Sequence, residues 1–133
     1  MTSARRVAPY IFVIGLAVSA AACGSPSDES SSTGLSADAA AGKSSFAAHC
    51  AGCHSIDGKS KAGPTLKALS GSTVTLQTGE SVTADDAYIT KSITDPSADI
   101  VKGYQKIMES AVPAGSISEQ QAKQITAYID TLK

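Results

Sequence analysis

The residues best suited to chemistry in this chain lie together in the sequence Cys50-Ala51-Gly52-Cys53-His54. Two thiols separated by two residues and followed directly by a histidine form the attachment pattern of c-type haem. On one helical turn, this spacing lets both thiols reach the two vinyl groups of one porphyrin, and the imidazole faces the iron from the same side. The pattern therefore predicts one covalently attached haem c, held by Cys50 and Cys53, with His54 as an iron ligand.

Two other uses of paired cysteines fit less well. A zinc site needs a second pair of ligands, and beyond the motif the chain offers only Cys23 and His49. A thioredoxin-like redox pair needs a βαβ context, whereas the sequence around the motif predicts helices. A chance occurrence of the pattern is the remaining alternative.

The distal ligand of the iron is restricted by the number of candidate side chains. The chain has two methionines, Met1 and Met108, and Met1 lies in an N-terminal segment that we expect to be removed. His49 adjoins Cys50, so it lies on the wrong side of the ring to reach the distal face. We therefore predict Met108 as the distal ligand, and His/Met iron favours electron transfer at raised potential. The alternative is that Met108 fills a gap in the core, with the iron open or bound by a lysine.

The N-terminus has the pattern of an export signal. Arg5 and Arg6 precede an apolar run over residues 10–18, and Ala20-Ala21-Ala22 precede Cys23. A basic start, a short apolar stretch and a small-residue cleavage site predict a secretory signal peptide over residues 1–22. The run is too short to span a bilayer well.

Cys23 is predicted to carry a lipid. Small residues ending in Cys resemble the bacterial lipobox, although Ala20 stands where Leu is usual. Lipidation accounts for the odd cysteine count, because a free thiol in an oxidising compartment is a liability; ordinary signal-peptide cleavage with a free Cys23 is the alternative. Residues 23–36 are rich in Ser, Gly and acids, as in a flexible tether. We thus expect residues 37–133 to be a domain anchored at the periplasmic face of a membrane.

Composition excludes several classes of function. The chain has 133 residues and a net charge of −1, with 17% charged residues, so nothing in its charge favours nucleic-acid binding. It has no Trp and two Phe, so a bound cofactor would help such a small core to pack.

Docking to an acidic partner would need a local patch of positive charge, for which Lys59, Lys61 and Lys67 are candidates. An ordinary solvated surface is the alternative.

Two helices are predicted at the ends of the domain. Ser36 can cap a helix over residues 37–50, and Ser118 can begin a second one with Gln121 in the capping-box position. The second helix carries an apolar stripe of Ala122, Ile125, Tyr128, Ile129 and Leu132.

Glycine and aromatic residues predict how these two helices meet. Gly42 permits a close approach of backbones, so we expect the helices to cross there. Phe46 is then expected to pack against Tyr128.

The Gly63-Pro64 pair is predicted to support His54. The carbonyl of Pro64 can accept a hydrogen bond from the second nitrogen of the ring and so orient it. Gly63 would let this loop approach the haem. An ordinary surface turn is the alternative.

The middle of the chain predicts a β-hairpin from residues 73–76 and 81–83. A helix is expected to start at Thr83 and to end before Pro96, with an inner face of Ala84, Ala87, Tyr88 and Ile93. Residues 99–108 are the expected ligand loop, with Gly103 and Tyr104 near the haem edge. Tyr88 or Tyr104 is a candidate to bond a haem propionate.

The order of these features resembles a class I cytochrome c. The stretch GPTLKALSGSTVTLQTGESVTADDAYITKSITDPSADIVKGYQKIM, residues 63–108, is similar to the cytochrome c domain fused to subunit II of some bacterial haem–copper oxidases. The resemblance implies an all-α class I cytochrome c fold with a small β-hairpin insertion. It also implies a respiratory partner, either a terminal oxidase or a quinol-oxidising complex.

Two departures from that family matter. The chain has no cysteines left for the binuclear copper site of subunit II, so it corresponds to the haem domain alone. The ligand Met of the family is normally followed by Pro, whereas Met108 is followed by Glu109. Without the fixed φ of proline, the loop is expected to be less rigid.

These observations predict an electron-transfer protein with redox protein partners and no small-molecule substrate. The electron would leave through the exposed haem edge, in a mobile carrier or a fixed subunit of a complex. The alternative is a haem peroxidase or ligand sensor with a labile Met108, which would need an acid–base group beside an open iron.

Overall fold

The computed structural model of the chain describes residues 34–133. The predicted signal peptide (residues 1–22), Cys23 and the predicted tether up to residue 33 lie outside the described residues. The elements in chain order are α1 (Ala37–His49), β1 (Thr73–Thr75), β2 (Ser81–Thr83), α2 (Asp86–Thr94), α3 (Met108–Ala111) and α4 (Glu119–Ile129). Within residues 34–133, no helix has the length and apolar character needed to cross a membrane.

The two terminal helices begin where their capping residues predict. The Ser36 hydroxyl accepts a hydrogen bond from the Ala39 amide at 3.2 Å, and Ser118 with Gln121 forms the predicted capping box. Each cap satisfies backbone N–H groups that have no partner inside the helix. Helix α1 ends at His49, with Cys50 as its C-cap, one residue before the predicted end.

Helices α1 and α4 cross at Gly42, as predicted. A Cβ on Gly42 would lie 1.8 Å from the carbonyl oxygen of Gln124, so any side chain would separate the two backbones. The rings of Phe46 and Tyr128 pack with their centroids 5.5 Å apart and their planes inclined by 51°, a favourable aromatic geometry. The crossing therefore fixes the end of α1, from which the Cys50–His54 motif continues.

The predicted hairpin is present as β1 and β2, which pair antiparallel with Val74 opposite Val82. Val74 is buried in the core. A two-stranded hairpin is marginal on its own, and here Leu76 also bridges to Val101. That attachment to a distant segment was not part of the sequence prediction.

The predicted start of α2 at Thr83 is wrong. Thr83 pairs with Thr73 in the hairpin, and Asp85 caps the helix by accepting a hydrogen bond from the Tyr88 amide at 2.8 Å. Ladder pairing holds Thr83 extended, and Asp is a stronger N-cap than Thr.

The predicted inner face of α2 is only partly correct. Ile89 and Ile93 are its buried residues, whereas Ala87 is exposed and Tyr88 is half-buried. Ala84 is buried as predicted, but it precedes the helix. The helix ends before Pro96, as predicted, and the short helix α3 that begins at Met108 was not predicted.

Candidate haem site

A cavity of about 430 Å³ lies between the end of α1, α2, α3 and α4. Its wall contains all five residues that the sequence predicts within the domain as cofactor-binding: Cys50, Cys53, His54, Pro64 and Met108. Apolar side chains from several parts of the core form much of the remaining wall, including Leu66, Val74, Ile93, Val101, Ile125 and Ile129. The fold therefore brings the attachment motif and Met108 to one largely apolar space, as a buried porphyrin requires.

The Cys50–His54 motif forms a single turn beyond α1 and does not continue the helix. The amides of Cys53 and His54 both donate to the carbonyl of Cys50, at 3.1 and 2.9 Å. Cys50 leaves the helix with φ −114°, far from the helical value of about −63°. The predicted helical turn is therefore present only in the hydrogen bond from His54 to Cys50, which has the four-residue spacing of an α-helix.

Both thiols are free, with Cys50 buried and Cys53 half-buried. Burial, together with the charge of Cys53, raises the pKa of Cys50 to about 11. Reactive cysteines have lowered pKa values, so this environment does not favour a thioredoxin-like redox pair. It leaves two neighbouring thiols at the wall of an apolar cavity.

The ring of His54 is oriented by the predicted contact with Pro64. Its Nδ1 lies 2.8 Å from the Pro64 carbonyl oxygen, and because a carbonyl only accepts, Nδ1 carries the hydrogen. In the neutral ring, Nε2 then has a free lone pair for a metal. Burial lowers the pKa of His54, the hydrogen bond to Pro64 opposes this in part, and the positive charge of Lys61 lowers the pKa further. The net lowering favours the neutral form that binds iron.

Gly63 approaches the ring of His54 itself, not only the space expected for the haem. A Cβ on Gly63 would lie 2.5 Å from Cε1 of His54. The Gly63 amide also donates to the Cys53 carbonyl at 2.9 Å. The Gly63-Pro64 loop therefore holds His54 by close packing and by a hydrogen bond.

Met108 is half-buried at the first position of α3 and lines the cavity. Glu109, the residue that replaces the expected proline, accepts a hydrogen bond from the Ser97 hydroxyl and lies 3.9 Å from the ammonium of Lys106. Its carboxylate is thus engaged by neighbours on the surface. The thioether of Met108 and the imidazole of His54 are the pair of donors that haem iron takes in electron-transfer proteins.

Three further residues in the cavity wall are ones about which the sequence made a prediction. Tyr88 and Tyr104, the two candidates to bond a haem propionate, both line the cavity. The hydroxyl of Tyr104 already donates to Ser60 at 2.8 Å. His49 is exposed and lines the cavity; that it cannot reach the distal face of the ring stays a prediction.

Sequence reasoning missed several residues of the cavity wall. Leu66 and Leu69 line it and follow directly after Gly63-Pro64, where two leucines three residues apart could have been recognised as an inward-facing pair. Ile100 and Val101 also line it, and no local signal distinguishes them from surface apolar residues.

The residues present fit a covalently attached haem: two adjacent thiols, a neutral imidazole, a thioether and apolar walls. In comparisons with known proteins, no curated protein matches the chain. A solved structure, cytochrome cH from Methylobacterium extorquens, is similar at 27% sequence identity; the match covers 71% of this chain and 98% of that chain, with a TM-score of 0.48.

The comparison with protein families gives a match over most of the chain. The family described as Cytochrome c matches residues 39–133, a stretch that includes the motif, the hairpin and every residue named in the cavity wall. The predicted mainly helical cytochrome c fold with a small hairpin is therefore confirmed. The chain belongs to the cytochrome c family.

Proposed function

We propose that this protein is a monohaem c-type cytochrome that passes single electrons in a bacterial respiratory chain. The observation that carries the proposal is the apolar-walled cavity lined by Cys50, Cys53, His54 and Met108. When bound there, haem supplies a one-electron iron couple whose potential depends on its axial ligands and its burial.

Each residue of the site has a separate task. Cys50 and Cys53 hold the haem covalently, and His54 and Met108 ligate its iron. Pro64 keeps Nε2 of His54 unprotonated by accepting from Nδ1. The apolar wall excludes water, which favours the less charged reduced state and so raises the potential.

A visible spectrum of the haem-loaded protein tests this function. We expect a c-type spectrum that ascorbate reduces readily and that carbon monoxide leaves unchanged, because Met108 occupies the distal position. Prompt binding of carbon monoxide would contradict the carrier and would favour the ligand sensor.

The resemblance of residues 63–108 to the cytochrome c domain of oxidase subunit II supports a terminal oxidase or a quinol-oxidising complex as the partner.

Lys59, Lys61 and Lys67 are exposed, and the ammonium of Lys61 donates to the carbonyl of Ala51 at 2.8 Å, in the attachment motif. We propose these lysines as a docking patch for an acidic partner.

Charge reversal tests the patch. Lys59→Glu combined with Lys67→Glu should slow electron transfer to an acidic redox protein and weaken its dependence on salt. Lys43→Glu combined with Lys123→Glu, on α1 and α4, is the control with the same change in charge. Equal rates for both variants at every salt concentration would remove the docking patch.

The membrane location rests on the sequence around Cys23. We propose that Cys23 is lipidated after export and holds the domain at the periplasmic face of a membrane. Incorporation of a tagged palmitate into the wild type, and its loss in Cys23→Ala, would support this anchor. An unlabelled wild type would refute it.

A further inference from the structure

The segment that leads to Met108 has little structure of its own. Within the described chain, residues 100–107 form neither a helix nor a strand, and the sequence from 100 to 112 contains no proline to fix φ. Contacts from elsewhere must therefore set where this segment lies.

The first such contacts come from the end of the hairpin. The residue after β1 bridges antiparallel to Val101. On either side of that bridge, the Gln77 amide donates to the Ile100 carbonyl at 2.8 Å, and the Lys102 amide donates to the Thr75 carbonyl at 2.9 Å. The segment thus pairs with the hairpin like a short third strand, which also stabilises the hairpin.

The next contacts converge on Tyr104. Its amide closes a turn on Val101 at 3.1 Å, with Gly103 at φ +88°. The side-chain amide of Gln77 donates to the Tyr104 carbonyl at 2.6 Å, and the Tyr104 hydroxyl donates to Ser60 at 2.8 Å. Tyr104 is therefore tied both to the hairpin and to the loop that follows His54.

These ties lie close to Met108 along the chain. Four residues span about 13 Å when extended, so fixing Tyr104 restricts where Met108 can lie. On the other side of Met108, Val112 is buried, and its amide donates to the Met108 carbonyl at 2.7 Å. Met108 is thereby held between two fixed points.

We propose that the β1–β2 hairpin clamps the segment that ends at Met108, with Gln77 and Tyr104 as positioning residues for the distal ligand. The clamp supplies the rigidity that a proline after Met108 would otherwise give. This inference rests on the proposed role of Met108, and neither positioning residue touches the iron.

Carbon monoxide binding to the reduced, haem-loaded protein tests the clamp. Gln77→Glu keeps the size of the side chain but cannot donate to the Tyr104 carbonyl. Because one such hydrogen bond restrains modestly, we expect carbon monoxide to bind about two- to tenfold faster. Thr78→Ala is the matched control, since the Thr78 hydroxyl accepts from Glu80 inside the hairpin turn.

The Tyr104–Ser60 tie is tested by a double-mutant cycle. Tyr104→Phe and Ser60→Ala should each accelerate binding, and the double variant should be no faster than the faster single variant, because both remove one interaction. Circular dichroism of each variant shows whether the fold is retained. Full additivity of the two effects would overturn this part of the clamp.

Met108→Ala, measured in parallel, separates the clamp from the proposed ligation. If the wild type resists carbon monoxide and Met108→Ala binds it promptly, Met108 is the distal ligand. Equal rates for Gln77→Glu, Thr78→Ala and the wild type would then overturn the clamp alone. If the wild type already binds as fast as Met108→Ala, the proposed ligation fails, and the clamp fails with it.

Discussion

Gly63 lies directly against the imidazole of His54, and a Cβ at this position would come within 2.5 Å of Cε1 and 2.9 Å of both ring nitrogens. The adjacent carbonyl of Pro64 accepts from Nδ1 of the same ring. The pair of loop residues therefore determines both the position and the tautomer of the predicted proximal ligand.

Gly63→Ala should destabilise the protein by about 1–3 kcal/mol, the usual cost of overpacking, because the ring or the loop must move. Thermal unfolding of the haem-loaded protein measures the cost, and the visible spectrum reports any change in ligation. Gly52→Ala is the control, since a Cβ on Gly52 would meet nothing within 4 Å. Equal stability of the two variants would contradict the close approach to His54.

Gly42→Ala should open the crossing of α1 and α4. A Cβ there would lie 1.8 Å from the Gln124 carbonyl oxygen, which is backbone and cannot rotate away. We expect a loss of about 3 kcal/mol in the free energy of unfolding, measured by denaturant titration. Lys43→Ala, at the exposed neighbouring position, should change it little, and similar losses in both variants would argue against the crossing.

Replacement of the motif cysteines should release the haem. In Cys50→Ala combined with Cys53→Ala, acid–acetone extraction should remove all haem, because no thioether remains. Cys23→Ala, which removes the third cysteine of the chain, should retain haem through extraction and on a denaturing gel. Haem that stays attached to the double variant would exclude Cys50 and Cys53 as its anchors.

Alkaline pH should destabilise the protein through Tyr88. Burial raises the pKa of Tyr88 above its ordinary value of 10.0, so the folded state binds the phenol proton more tightly than the unfolded state. Its contribution to stability is therefore present below about pH 10 and is lost as the pH rises through the folded-state pKa.

NMR of protein labelled with ¹³C at tyrosine Cζ measures this titration. The signal that Tyr88→Phe abolishes should titrate above the ordinary value of 10.0. A wild-type spectrum without such a signal would be inconsistent with the burial of Tyr88.

Local hydrogen bonding explains where sequence prediction succeeded. The caps at Ser36 and Ser118 depend on atoms three residues apart, so the side-chain type at one position is enough to indicate a helix start. The same reasoning was wrong at Thr83, because pairing with Thr73 in the hairpin competes with capping. A propensity for a local cap carries no information about a partner strand.

The sequence by itself determined the haem-attachment pattern at Cys50, Cys53 and His54, the starts of α1 and α4, and the hairpin, because each depends on residues close in the chain. Only the tertiary structure decided that Met108 shares a cavity with His54, that Gly63 packs on the His54 ring, and that Tyr104 joins Ser60 and Gln77. These contacts join residues brought together by burial of the apolar core, and burial is a property of the whole chain that no short stretch encodes.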